Sequence, residues 1–143
     1  MNTIKFKPQL TPKEMLKLGI FGGYYFEGQH DEYPKDWFQN AKLSDSGYNV
    51  NLNCFKINSG QSRNEWIKNG WITKEDPLGW FQWYCRYSMG RRLSEIDNIQ
   101  INRWVAFGPR HIGGIKANCE PGNFECRPRQ RQALLHWAYD PFI

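Results

Sequence analysis

The chain reads as a series of short apolar stretches at helical spacing, set apart by Gly, Pro and polar residues. Thr11-Pro12-Lys13-Glu14 predicts a helix start. Thr11 caps, Pro12 fits the first turn and Glu14 completes a capping box. Met15, Leu16 and Leu18 supply its apolar face and Gly19 ends it. Ile20 to Phe26 is apolar around Gly22-Gly23, which fits a short strand or a loop in close backbone approach. Pro34 predicts a second short helix through Trp37, Phe38 and Ala41. Residues 44–60 read as a loop in which the alternation of Asn51 to Ile57 adds at most one strand. Ser62 predicts the cap of a helix holding Trp66 and Ile67, closed by Gly70. Further helices are predicted from Pro77 to about Met89, from Ser94 until Gly108-Pro109 ends or kinks it, from Arg110 to Ala117, and from Pro128 to about Tyr139. The expected fold is mainly α: one compact domain, residues 1–143, of about six short helices with at most one small β-hairpin.

Composition adds weight to a packed core. The 143 residues are 40 % hydrophobic but 16 % aromatic, and aromatic side chains bury large areas. The formal charge is +5, and its distribution says more than its size. Residues 1–85 carry ten Lys and Arg against nine acids, whereas residues 86–143 carry nine against five. Lys dominates the first part and Arg the second. Arg suits planar, bidentate and stacked contacts with carboxylates, phosphates and rings. Residues Pro77 to Asp140 are therefore the expected seat of function. With no secretory signal at Met1 to Lys7 and no apolar run of membrane length, the expected setting is a reducing cytoplasm. There Cys54, Cys85, Cys119 and Cys126 are expected as thiols or ligands rather than disulfides.

Candidate chemistry clusters in that second part. Trp80, Phe81, Trp83, Tyr84, Cys85 and Tyr87 surround one helix, which predicts burial. Arg86 on it needs a carboxylate, with Asp76, Asp97 and Asp140 as candidates, unless it meets a ligand. Arg91 and Arg92 follow at the helix end, where they suit the dipole or a phosphate. Arg127, Arg129 and Arg131 oppose the dipole at the start of the last helix unless an anion compensates. Gln132 and His136 share a face there, and Asp140 just after it is expected to pair with an Arg. Arg110 and His111 complete the ligand- and phosphate-binding candidates. Trp83, Trp104 and Tyr24 are the candidate stacking surfaces for a base. Asp140, His136 and Asp76 are the candidate catalytic groups. Cys119 and Cys126 are too far apart in sequence for a zinc knuckle and give only a weak metal site, with His111 and His136 as further ligands in principle; packed thiols, or a disulfide that forms on oxidation, fit the pair better. No cofactor is expected.

His30-Asp31-Glu32 beside Gly22-Gly23-Tyr24-Tyr25 forms a second polar and aromatic region, where an acid pair next to a His suits general acid–base work but a solvated loop is the default expectation. Nucleotide-binding loops, nucleophile elbows and zinc-protease helices are all missing from the sequence. Phe107 to Gly114 bears a loose likeness to the glycine-containing hairpin of helix-hairpin-helix DNA binders.

Several strings are more specific. Asp76-Pro77-Leu78-Gly79-Trp80-Phe81-Gln82-Trp83-Tyr84-Cys85-Arg86-Tyr87 is followed by Gly90-Arg91-Arg92, Arg103-Trp104, Arg110-His111 and Cys126 through Asp140. With Phe21 to Tyr24, Glu32 to Pro34, Trp37 to Lys42 and Gly70 to Ile72, they resemble a family of short uncharacterised proteins of bacteria, fungi, algae and plants. The resemblance spans nearly the whole chain and implies a complete member of that family. It carries no assigned activity and no catalytic residue. Gly113-Gly114 departs from it where bulkier residues are expected.

Three functions fit these observations. Arg bias, net charge and aromatics suit a nucleic-acid binder, including one that recognises or processes a base, with DNA favoured over RNA. A pocket of Gln132, His136, Arg86 and Asp140 suits an enzyme or binder for a small anionic metabolite such as a nucleotide. Exposed Arg and Trp suit a protein-interaction module. No membrane partner is expected.

Overall fold

The computed structural model describes residues 6–59, 70 and 73–143. The helix expected from Ser62 lies outside the described residues. Four α-helices are described: α1 (Pro12–Leu18), α2 (Trp80–Ser88), α3 (Ser94–Asn118) and α4 (Pro128–His136). Three 3-10 turns, Phe21–Gly23, Lys35–Phe38 and Val50–Leu52, carry the chain between α1 and α2. The described residues contain no strand, so neither the hairpin nor the strand over Asn51 to Ile57 forms.

α1 forms as the sequence dictates. Thr11 Oγ1 accepts from Glu14 N while the Glu14 carboxylate accepts from Thr11 N, a reciprocal capping box. The helix expected after Pro34 is one 3-10 turn. Gly22 has a φ of 62°, and a Cβ there would lie 2.3 Å from the Tyr48 ring. Its N–H donates to Asn53 Oδ1 at 2.8 Å. The double glycine is thus the close backbone approach that the sequence suggested.

α2 is the central core helix. It starts at Trp80 rather than Pro77, because Pro77 to Gly79 are held as a turn by Gly79 N donating to Asp76 O. One of its first-turn donors is satisfied from outside the helix: Tyr25 OH accepts from Gln82 N. Trp80, Phe81, Trp83, Tyr84 and Cys85 are all buried. Phe6 packs edge-on against Trp80, Tyr84 and Trp104.

α3 corrects the expectation for residues 94–117. The helix does not end at Gly108-Pro109 but runs on for 25 residues, with Pro109 inside it. Pro109 is exposed, so the donor it lacks is missing on the solvent side, at a cost of about 3 kcal/mol or less. Two features compensate. Ile101, Trp104 and Ile115 anchor the helix in the core on both sides of the proline. Gly108 lets the Tyr139 ring approach so closely that a Cβ would sit 2.2 Å from it, and Tyr139 OH donates to Trp104 O. α3 and α4 pack together, and the Gln130 amide lies over Gly114. That contact accounts for a small residue at position 114, whereas a side chain at Gly113 would meet nothing within 4 Å. No described helix is long and apolar enough to cross a membrane.

Candidate functional site

A cavity of about 580 Å³ opens between α3 and α4, within the usual range for small-molecule sites. Its floor comes from the Phe21 turn and the first turn of α2. Two runs of rings line it. On one side His111 stacks on Phe107 at 4.2 Å, Phe107 on Trp137 at 4.7 Å, and Trp137 leans on Trp80 at 4.8 Å. On the other, His136 stacks on Phe21 at 4.0 Å, and Phe21 meets Tyr25 at 4.5 Å.

The helical period places the polar groups. Arg103, Phe107 and Arg110 stand at i, i+4 and i+7 on α3, and Arg129, Ala133 and His136 repeat that spacing on α4. The two stripes face one space. Arg110 and Arg129 are exposed at its mouth and make no ion pair with any described residue. Arg103 lies deeper, donating to Gln100 Oε1 at 2.9 Å with its guanidinium 5.2 Å from the Trp137 ring. Three cations thus border the cavity, and no described lining residue is a carboxylate.

Both histidines there are held neutral. Burial lowers the pKa of His111, and the cation of Arg110 adds to the effect. Burial takes His136 down to about 3. Its Nε2 accepts from Phe21 N at 3.2 Å and lies 3.0 Å from Gln132 Nε2. The Gln132 amide is itself oriented, since its Oε1 accepts from Phe55 N and its Nε2 donates to Gly19 O. Gln132 is therefore fully buried and positions His136 rather than contacting a ligand.

The other predicted residues lie elsewhere. Arg86 is an internal ion pair: it donates to Asp76 and, through two nitrogens, to Glu32 at 2.6 and 2.8 Å. That contact holds the Glu32 carboxyl below its ordinary pKa. Arg91 grips both oxygens of the same Asp76, which is fully buried. A buried carboxylate between two guanidiniums is a fixed structural charge, so Asp76 is corrected from catalytic candidate to keystone of an ion-pair network. Glu32 sits in that network rather than in an acid–base pair with His30, which stacks on Phe38. Arg92 is exposed, with its guanidinium over the Tyr87 ring at 3.6 Å.

Arg131 is also corrected. It is wholly buried, and its guanidinium donates to the carbonyls of Cys126, Asn123, Pro141 and Ile143. Asp140 has no Arg partner among the described residues; it is exposed, and its Oδ1 accepts from Phe142 N. Trp83 and Trp104 offer no face to a base. Both are buried, donating to Asp97 Oδ1 and to Trp137 O. Tyr24 is half-buried and Arg127 exposed, and neither lines the cavity. Cys119 and Cys126 form a disulfide, so their sulfurs are bonded to each other instead of to a metal. Three or more His, Cys, Asp or Glu side chains suited to a metal ion occur nowhere among the described residues.

The structure thus brings together Arg110, His111, Arg129 and His136 from the predicted set. It adds Arg103, Trp80, Phe107, Gln130 and Trp137. A helix taken as broken at Pro109 hides the 103–107–110 stripe, which is visible once α3 is continuous. No family model, curated protein or solved structure matches this chain.

Proposed function

We propose that the cavity binds a nucleotide-class ligand, a planar ring inserted among the aromatic walls with its phosphate outside on Arg110 and Arg129. One observation carries this reading: six aromatic rings and three arginines line one cavity with no carboxylate among its described lining residues. Planar ligands stack on aromatic faces, and phosphates take paired donors from Arg. The burial gradient sets the orientation, with His136 deep and Arg110 and Arg129 at the surface.

Isothermal titration with adenosine, guanosine, cytidine and uridine 5′-monophosphates tests it. Binding is expected, and the double variant Arg110→Ala, Arg129→Ala weakens it at least about tenfold, as loss of charge-assisted hydrogen bonds requires. Both side chains are exposed, so the melting temperature should hardly change. Undiminished binding in the variant would contradict the assignment.

A nucleic-acid strand is the second reading. Arg127 and Arg129, both exposed at the start of α4, extend the positive charge beyond the cavity. A ten-residue DNA or RNA oligonucleotide would then bind more tightly than a mononucleotide. Its log affinity would fall with log salt by roughly 0.7 for each phosphate held.

A further inference from the structure

The deep end of the cavity has an unmet hydrogen-bonding group, and its identity follows from the neighbours of His136. Gln132 cannot be turned round, because its Oε1 takes Phe55 N–H and its Nε2 gives a proton to Gly19 O. The second proton on that Nε2 points to His136 Nε2 at 3.0 Å. Phe21 N–H approaches the same ring nitrogen at 3.2 Å. Two donors on one nitrogen require a lone pair there, so the imidazole proton resides on Nδ1. Protonating Nε2 would set three N–H groups against each other, in keeping with the low pKa of this buried ring.

Nδ1–H has no acceptor among the described residues, although the ring is 95 % buried and lines the cavity. The nitrogen is not among the fully buried polar atoms left without a partner, so it stands open to the cavity. The deep end of an otherwise aromatic cavity thus carries a donor that the fold itself does not use.

Building on the nucleotide reading above, we propose that His136 determines specificity: its Nδ1–H donates to a carbonyl oxygen on the buried edge of a planar heterocycle. The ligand class is narrowed to oxo-substituted bases, with guanine, hypoxanthine and uracil types preferred over those presenting only an amino group there. The phosphate contacts on Arg110 and Arg129 are indifferent to the base, so discrimination among bases falls to His136.

The test compares ligands with and without the 6-oxo group and the ring N–H that accompanies it, on the unmodified protein. Inosine 5′-monophosphate is titrated against purine riboside 5′-monophosphate, which lacks the 6-oxo group, by calorimetry at pH 7. The oxo compound should bind about tenfold more tightly, and the preference should vanish in His136→Phe, which keeps the ring stacked on Phe21. If that variant does not fold, nitrogen-15 spectra of the unmodified protein with labelled histidine serve instead. The His136 Nδ1–H proton should be present without ligand and shift downfield with inosine monophosphate but not with its deoxygenated partner. Equal affinity for the two ligands, or a proton found on Nε2, would overturn this proposal and leave the nucleotide reading standing. Failure of both ligands and of all four ordinary monophosphates to bind would overturn that reading, and this proposal with it.

Discussion

Arg129 and Arg131 stand two apart in one run of sequence and have opposite fates. Arg129 is exposed at the cavity mouth, while Arg131 is sealed inside with its guanidinium on four backbone carbonyls. Two residues of helix turn a side chain by about 200°, so one of the pair must face inward. Composition alone does not say which. The same limit applies to tryptophan: Trp83 and Trp104 are core, while Trp80 and Trp137 reach the cavity. Arg86 was more legible, because a cation on an all-round apolar helix needs a carboxylate, and Asp76 was one of three on offer. His136 yields a prediction at this scale. Its pKa is about 3 in the folded chain, against about 6.5 for an imidazole in the unfolded one. Between those values the unfolded chain takes up a proton that the folded chain refuses. Stability therefore falls as pH drops from about 6.5 towards about 3, by up to about 1.4 kcal/mol per pH unit from this group. In His136→Gln that part of the acid sensitivity should disappear, giving a flatter plot of urea unfolding free energy between pH 7 and pH 4. The Glu32 carboxylate also loses its contribution in acid, but it does so in both proteins and cancels in the comparison. Parallel plots would show that His136 is not the buried neutral group described here.

At the scale of elements, caps were readable and continuity was not. The Thr11 capping box, the Pro128 start and the all-round burial of α2 follow from local chemistry. The run of α3 through Pro109 does not, because what holds it is tertiary: the Tyr139 ring on Gly108, and the core anchors Trp104 and Ile115. Assigning a break at the proline splits one functional stripe between two elements and conceals the site. Short polar stretches near Asn51 also mislead, since the Asn53 side chain caps the Gly22 turn there in place of a sheet. Pro109→Ala should add the missing intrahelical bond on an exposed surface. We expect unfolding free energy to rise by about 1–2 kcal/mol, less than the full proline penalty because the unfolded chain also gains freedom. A thermal melt showing no gain would mean that the helix bends around the proline for a reason outside its own backbone.

Across the whole molecule, the positive charge is less available than its total suggests. Of the Arg side chains after residue 85, Arg86, Arg91 and Arg131 are committed to internal carboxylates or carbonyls. Those that remain at the surface include Arg110 and Arg129, and both border the same opening. This is the physical ground for favouring a pocket over an extended polyanion surface. The aromatic walls have a further consequence. The chain has seven tryptophans; among the described residues Trp80 and Trp137 line the cavity, while Trp83 and Trp104 lie away from it in the core. An indole in contact with a stacked base loses its emission to the new neighbour, whereas a distant one keeps it. Filling the site should therefore dim only part of the ultraviolet fluorescence, and Trp137→Phe should shrink the dimming while leaving the remainder bright. The protein thus contains its own optical gauge of occupancy, ready for use before any ligand has been labelled.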